Sequence, residues 1–333
     1  MIHLSFDSVH EPQAGAKWQS LFKAYWPAYK KWYLENGAAT KPNLKIARDR
    51  LERYMPEMVP QYEKLCELAG DDEAAHRFLT GWQPPAYISG CSQAVLTHVP
   101  MLVRNYDYHP HLIEGTLLYS SWNHKPVMAV NDCLVGALDG MNSDGLVVSL
   151  TFGGRRTVSR GFGIPFVLRY ILEFCSTVSE GVEVLKRVPV HMAYNILLMD
   201  KSGTHSMVLL TPRREPRVTD LRACANHQGE LHWPDSKRFP NSLERERFLN
   251  EILSRPFISA KEMVESFLRV PLFNTRYQRG AGTIYTAVYH PAEGYMQLLW
   301  PDRMITQSFN YFEEVSMPVN IYAPDLEDEQ RKV

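Results

Sequence analysis

The chain has 333 residues, of which 45% are hydrophobic and 22% charged, and its formal net charge is -1. That balance is typical of a soluble globular protein with enough apolar material for a sizeable core. It offers no basic excess for a nucleic-acid partner, and no run approaches the ~18 consecutive apolar residues of a membrane span.

The N-terminal MIHLSFDSVHEP lacks the basic start, apolar run and small-residue cleavage site of a secretory signal, so a cytoplasmic protein is expected. After a strand-like IHLSFD, residues 13–79 are rich in helix formers, and Trp18, Leu21, Phe22 and Tyr25 recur at helical intervals. A helix is predicted over 59–68, with Gly70 as its C-cap. Asp71 or Asp72 then caps a short helix through Ala75 and Phe78. Near residue 85 the texture changes. CSQAVLT, MLVRNYD, GTLLYSS, PVMAVN and GLVVSLTF are short runs of β-branched and aromatic residues between turn formers, each read as a strand. DGMNSDGL, 139–146, reads as a turn opening into the last of them. Pro165 at a first-turn position leads into FVLRYILEF, and Thr177 with Glu180 forms a capping box. Strands return at AYNILLMD, at HSMVLL and near RACAN; helices follow over 242–253 and 259–268. TIYTAVYH, a turn at PAEG and YMQLLWP make a hairpin, and the charged DLEDEQRKV reads as a frayed end. Antiparallel strands with helices in two blocks point to two stacked sheets with helices outside.

Five cysteines (Cys66, Cys91, Cys133, Cys175 and Cys224) stand at no CxxC spacing, which argues against a zinc ribbon and a complete disulfide framework. Cys91, in SGCSQ, follows a glycine. A thiol can attack the carbonyl of the peptide bond before it, and hydrolysis of the resulting thioester frees a chain that begins at the cysteine. Glycine at 90 tolerates the strained backbone this attack needs. The freed α-amine, with an ordinary pKa of about 7.7–8, can take the proton of its own thiol. Alone, Gly-Cys is weak, since a small buried apolar cysteine is the commoner use of the residue. Arg104 and Asp107 of the RNYD strand approach Cys91 if the two strands pair as a hairpin: Arg104 then favours the thiolate and Asp107 holds an ammonium. A surface ion pair is the plainer account of both. Asn142 and Asn226 are candidate oxyanion donors, although asparagine in a turn is ordinarily there for its tolerance of left-handed backbone.

Taken together, GCSQ, RNYD, DGMNSDGL, YNILLMDKSG, ANHQ, SLERERF and TIYTAVYHPAEG resemble, in this order, the penicillin acyltransferase family within the choloylglycine-hydrolase group of N-terminal nucleophile hydrolases. The resemblance covers residues 65 to the end. It implies an α+β fold, a four-layer αββα sandwich, with residues 1–90 as a helical pre-nucleophile segment and 91–333 as the catalytic portion of one folded unit. The bile-salt hydrolases of the group begin almost at their cysteine, whereas about ninety residues precede it here, which favours the penicillin acyltransferase branch. The resemblance further implies self-cleavage between Gly90 and Cys91, with Cys91 as nucleophile and, through its amine, base. Arg104 and Asp107 would hold and polarise these groups, and Asn142 and Asn226 would line the oxyanion hole. An arginine of SLERERF completes the site; Arg245 and Arg247 compete, and Arg247 is assigned. Expected substrates are small acyl amides or thioesters, with no cofactor beyond acyl-coenzyme A as an open co-substrate; no nucleic-acid or membrane partner is expected, and a homo-oligomer is left open.

Tyr108, Phe152 and Phe162 are weaker candidates for an acyl pocket, with core packing an even alternative for the two phenylalanines. His98, His109, His111 and His124 raise a metal site, but no ligand spacing such as HExxH supports it. Gly153-Gly154 and Gly161 and Gly163 precede the helix at Pro165 without a phosphate-binding pattern, and read as loop hinges. Two other functions compete with acyl transfer: an uncut, non-catalytic binding protein for acylated small molecules, and a metal-dependent hydrolase.

Overall fold

A computed structural model describes residues 1–36, 42–229, 241–277 and 280–322; the terminal DLEDEQRKV lies outside them. Strand β1 (Ile2–His10) is followed by four helices, α1 (Ala16–Glu35), α2 (Leu44–Tyr54), α3 (Val59–Ala69) and α4 (Glu73–Leu79). Their ends are set locally. The Asn43 side chain accepts from the Ile46 amide at the start of α2, Gly70 closes α3 at φ 77°, and Asp72 accepts from the Ala74 and Ala75 amides of α4.

Next come β2 (Gly90–Leu96), β3 (Met101–Tyr108), β4 (Thr116–Ser120), β5 (Val127–Asp132), β6 (Gly136–Asn142) and β7 (Val147–Phe152). Helices α5 (Ile164–Phe174) and α6 (Val178–Arg187) follow, the first opened by Pro165 and the second by the Thr177–Glu180 capping box. The chain continues through β8 (Tyr194–Met199), β9 (His205–Leu210), β10 (Arg217–Thr219), β11 (Ala223–Cys224), α7 (Ser242–Leu253) and α8 (Ala260–Phe267). It ends in β12 (Gly282–His290), β13 (Tyr295–Trp300), β14 (Arg303–Ser308) and β15 (Ser316–Ile321).

Nine strands form one sheet in the order β10-β9-β8-β7-β6-β5-β4-β1-β15, and six form another, β11-β2-β3-β12-β13-β14. Only the β1–β4 pair among them is parallel. Period-two alternation decides what each sheet buries. Met128, Val130 and Met141 of the larger sheet meet Cys91, Leu102 and Tyr106 of the smaller one in a single cluster between the sheets. The opposite face of the larger sheet is covered by α5, α6 and the N-terminal helices. The opposite face of the smaller sheet packs Ala94, Leu96 and Val103 against α7 and α8. Helix, sheet, sheet, helix is the four-layer αββα sandwich. Among the described residues no helix is long and apolar enough to cross a membrane.

The structure departs from the sequence reading most at DGMNSDGL. Its first four residues belong to β6, and the turn begins only at Ser143. Gly140 is there for contact: a Cβ would lie 2.8 Å from both the Ala129 side chain and Leu172 of α5. Besides β6, three strands are not apparent in the sequence, β10, β14 and β15; the last is an edge strand, where Pro318 costs no ladder bond.

Candidate active site

The β2–β3 hairpin sets the register of the site. Gly90 lies opposite Asp107, Cys91 opposite Tyr106 and Gln93 opposite Arg104. Facing residues share a side of the sheet and successive residues alternate, so the RNYD tetrad is divided. Arg104 and Tyr106 join Cys91 between the sheets. Asn105 and Asp107 face the helical layer, where Asn105 donates to the Phe267 carbonyl at 2.8 Å and Asp107 meets Arg245 of α7.

Cys91 is fully buried, and each of its polar groups has a partner. Its amide donates to Asn226 Oδ1 at 2.9 Å, its carbonyl accepts from Arg245 Nη1 at 2.9 Å, and its Sγ receives Arg104 Nη2 at 3.2 Å. Burial pushes the Cys91 thiol up, and the Arg104 guanidinium pulls it part of the way back.

A seat of acceptors aims Arg104. Nε donates to the Leu150 carbonyl at 3.0 Å, while Nη1 bonds Asp139 Oδ2 and the Tyr285 hydroxyl. Asp139 also accepts from Tyr285 at 2.7 Å and Tyr289 at 2.5 Å. A buried ion pair pays for its desolvation only when its remaining lone pairs are satisfied, and the two tyrosines do that here. Sequence reasoning missed all three partners. Asp139 sat inside a string read as a turn, and Tyr285 and Tyr289 in a strand read only for its hairpin. The available signal was TIYTAVYH, which places two phenols four residues apart on one face.

On the other side of the hairpin stands Arg245. Its Nη1 donates to the Cys91 carbonyl, to Ser92 Oγ at 2.8 Å and to Asp107 Oδ2 at 3.3 Å, and its Nη2 donates to Asn226 Oδ1 at 2.8 Å. The assignment to Arg247 is therefore corrected. Ser242, Arg245, Leu249 and Ile252 recur at three- and four-residue steps on the buried face of α7, whereas Arg247, two residues further on, is exposed. Ser242 also fixes the strand end beyond β11, since its Oγ accepts the Asn226 amide at 2.8 Å.

The structure does not bring Asn142 to this cluster, which corrects its expected oxyanion role. Asp139 and Asn142 are three residues apart on β6 and so face opposite sides of the sheet. Asn142 points toward α5, donating to the carbonyls of Leu172 and Cys175 at 3.0 and 2.7 Å. Its Oδ1 accepts from the Asp144 and Leu146 amides and closes the β6–β7 turn. Asn226 differs, in that its Nδ2 makes a long 3.3 Å bond to the Phe152 carbonyl. The side chains of Phe152 and Phe162 are not walls of a pocket beside Cys91. Both belong to the core on the helix side of the larger sheet, Phe162 with its ring 4.9 Å from that of Trp82. Tyr108 does line a cavity of about 180 Å³, together with His111.

Gly154, at φ 79°, lets its loop cross Asn226, whose carbonyl lies 2.7 Å from where a Cβ would stand. Gly161 is pressed closer still, on the carbonyl carbon of Val190. Both are contact positions rather than hinges. Among the described residues no three His, Cys, Asp or Glu side chains gather as metal ligands, and His98 lies against the Ile258 carbonyl.

Burial pushes the Asp107 carboxyl up from 3.8 to about 6, against Arg245, the Thr283 hydroxyl at 2.8 Å and Arg104, which hold it down. The fold therefore binds this proton more tightly than the unfolded chain does. The stability gained is complete below pH 4 and is lost as pH rises through about 6. Asp107→Asn, placed in an uncut Cys91→Ala chain, should flatten the pH dependence of thermal unfolding between pH 4 and 7 by on the order of 3 kcal/mol. Parallel profiles with and without Asp107 would refute this.

A model of the family described as acyl-coenzyme A:6-aminopenicillanic acid acyl-transferase matches residues 97–304, a stretch that begins beyond Cys91. No curated protein matches the chain. Similar solved structures include a point variant of conjugated bile acid hydrolase from Clostridium perfringens, 14% identical, covering 69% of this chain and 97% of that one with a TM-score of 0.48. The N-acylethanolamine-hydrolyzing acid amidase ortholog of Caenorhabditis elegans is 17% identical over 69% of this chain and 100% of that one, with a TM-score of 0.46. Penicillin V acylase from Agrobacterium tumefaciens is 12% identical over 66% and 86%, with a TM-score of 0.41.

Proposed function

Because the chain belongs to the acyl-coenzyme A:6-aminopenicillanic acid acyl-transferase family, we propose that it is a cysteine N-terminal nucleophile enzyme that frees Cys91 by cutting its own Gly90–Cys91 bond. The freed residue then moves acyl groups from amides or thioesters to water or to an amine. One observation carries the reading: the buried thiol of Cys91 lies against the Arg104 guanidinium, with Asn226 and Arg245 holding its amide and carbonyl. Any buried backbone amide and carbonyl need partners, but a cysteine kept only for packing needs no guanidinium held against its thiol.

In the proposed cycle the α-amine of Cys91 takes the thiol proton and the thiolate attacks the substrate carbonyl carbon. The C–S bond forms, the C–N bond breaks, and the α-ammonium returns the proton to the departing amine. Arg104 favours the thiolate by charge. Asn226 Oδ1 and Arg245 fix the backbone around the amine, and Asn226 Nδ2 would leave its long bond to the Phe152 carbonyl to donate to the developing oxyanion. The Asp107 carboxylate restrains Arg245, while its backbone N–H donates to the Cys91 thiol.

Intact-mass measurement on the purified protein tests this directly. Two chains that part between residues 90 and 91 are expected. A whole 38.3 kDa chain with full acyl-transfer activity would overturn the self-cleavage, and a whole chain without activity would favour a binding protein.

A further inference from the structure

The cavity of about 180 Å³ beyond Tyr106 is not used by the cycle above. Four stretches of chain wall it: Tyr29 and Trp32 of α1, Tyr87 of the segment leading to Gly90, Tyr108 with Glu114 beyond it, and Asp132 at the end of β5. It is close to the nucleophile, since the Tyr108 ring lies 5.6 Å from that of Tyr106, the residue opposite Cys91. A cavity on the order of 150 Å³ accepts a benzene-sized ligand.

Its chemistry is one-sided. The Tyr29 hydroxyl lies 2.7 Å from Glu114 Oε1 and 3.0 Å from Asp132 Oδ1, while accepting the Cys133 amide at 2.9 Å. A hydroxyl has one proton to give, so it serves one carboxylate at a time. Glu114 Oε2 is buried and has no hydrogen-bond partner among the described residues. Nor does either carboxylate have an ion-pair partner there. The nearest cations are occupied: Arg169 donates to the Val135 carbonyl and Asn131, and Arg104 to Asp139 and Cys91. Burial and mutual repulsion push Glu114 up to about 7, and burial pushes Asp132 up to about 6. Two buried acids that Arg169 and Arg104 reach only through space, with no ion pair among the described residues and aromatic faces around them, disfavour an anion and suit an organic cation.

We propose that this cavity is the binding site for the ammonium group of an amine-bearing ligand, with Glu114 and Asp132 accepting its N–H donors and the aromatic walls enclosing its carbon skeleton. Combined with the Cys91 reading, on which this second step rests, the substrates are amides that carry a free amino group rather than purely fatty ones.

The test is calorimetric titration of the full-length Cys91→Ala chain at pH 8 with phenethylammonium chloride and with 2-phenylethanol. The two probes share size and ring and differ in charge. The ammonium should bind at least 10-fold more tightly, and Glu114→Gln and Asp132→Asn should each remove most of that preference. Equal affinities, or no ammonium binding, would overturn the proposal. Glu114→Gln keeps an acceptor for the Leu134 amide and Tyr29; if its circular dichroism nevertheless shows misfolding, Asp132→Asn decides. Because the chain used has no nucleophile, failure here leaves the acyl-transfer reading untouched, and a failed cut leaves this result untouched.

Discussion

Replacing Cys91 by alanine is expected to leave the chain whole and to abolish acyl transfer, with a loss that reaches on the order of 10⁶-fold where a nucleophile is deleted from a comparable machine. The proposed cut and the proposed turnover both pass through the same sulfur, so one substitution should stop both. Two readouts separate the steps. Intact mass reports the cut, and a mass increment after brief exposure to a short acyl thioester reports the acyl-enzyme. Cys91→Ser is the finer probe, since it keeps the size of the group and loses its acidity: cutting should be slowed and no stable thioester should form. An alanine variant that is still cut, or that still acylates, would remove Cys91 from the mechanism.

The second large effect should separate two arginines that stand two residues apart. Arg245→Ala withdraws donors from the Cys91 carbonyl, Ser92, Asp107 and Asn226 at once. It leaves a buried carboxylate without its counter-ion, which typically costs about 3–5 kcal/mol. Arg247→Ala, on the exposed face of the same helix, should change stability by no more than about 0.5 kcal/mol. Denaturant midpoints of the two variants, with the extent of cutting, check this. Arg245→Lys should fail to rescue, because a single ammonium cannot span acceptors that a planar fork reaches together. Equal behaviour of the two alanine variants would sink the placement of Arg245.

Much of the fold was legible because it is written locally. The Thr177–Glu180 box, Pro165 at the first turn of α5 and Gly70 at the end of α3 are decisions taken within four residues. The RNYD strand and the strand at Cys91 also announced their pairing through a short connection. What stayed hidden was the choice of face. Nothing in DGMNSDGL says that Asp139 looks inward to Arg104 while Asn142 looks outward to α5; that follows from strand parity once the sheet is assembled. SLERERF offered two arginines of equal chemistry. The phase of α7 is set only by Leu249 and Ile252 beyond them, and reading those apolar positions first selects Arg245. For Phe152 and Phe162 the sequence leaves acyl pocket and core packing even, and only the assembled sheet shows that both pack behind it.

Strand β1 lies within the larger sheet, antiparallel to β15 and parallel to β4. A cut after residue 90 would therefore leave two chains woven through one sheet, and the uncut polypeptide would be the only form that can fold by itself. Once unfolded, the severed pieces must find each other by diffusion, without the millimolar effective concentration that a tether supplies. Refolding of the cut protein should slow on dilution, while the intact Cys91→Ala chain should recover at a rate independent of concentration. The finished enzyme would then owe its persistence to slow unfolding rather than to reversible equilibrium, having given up the route by which it was assembled.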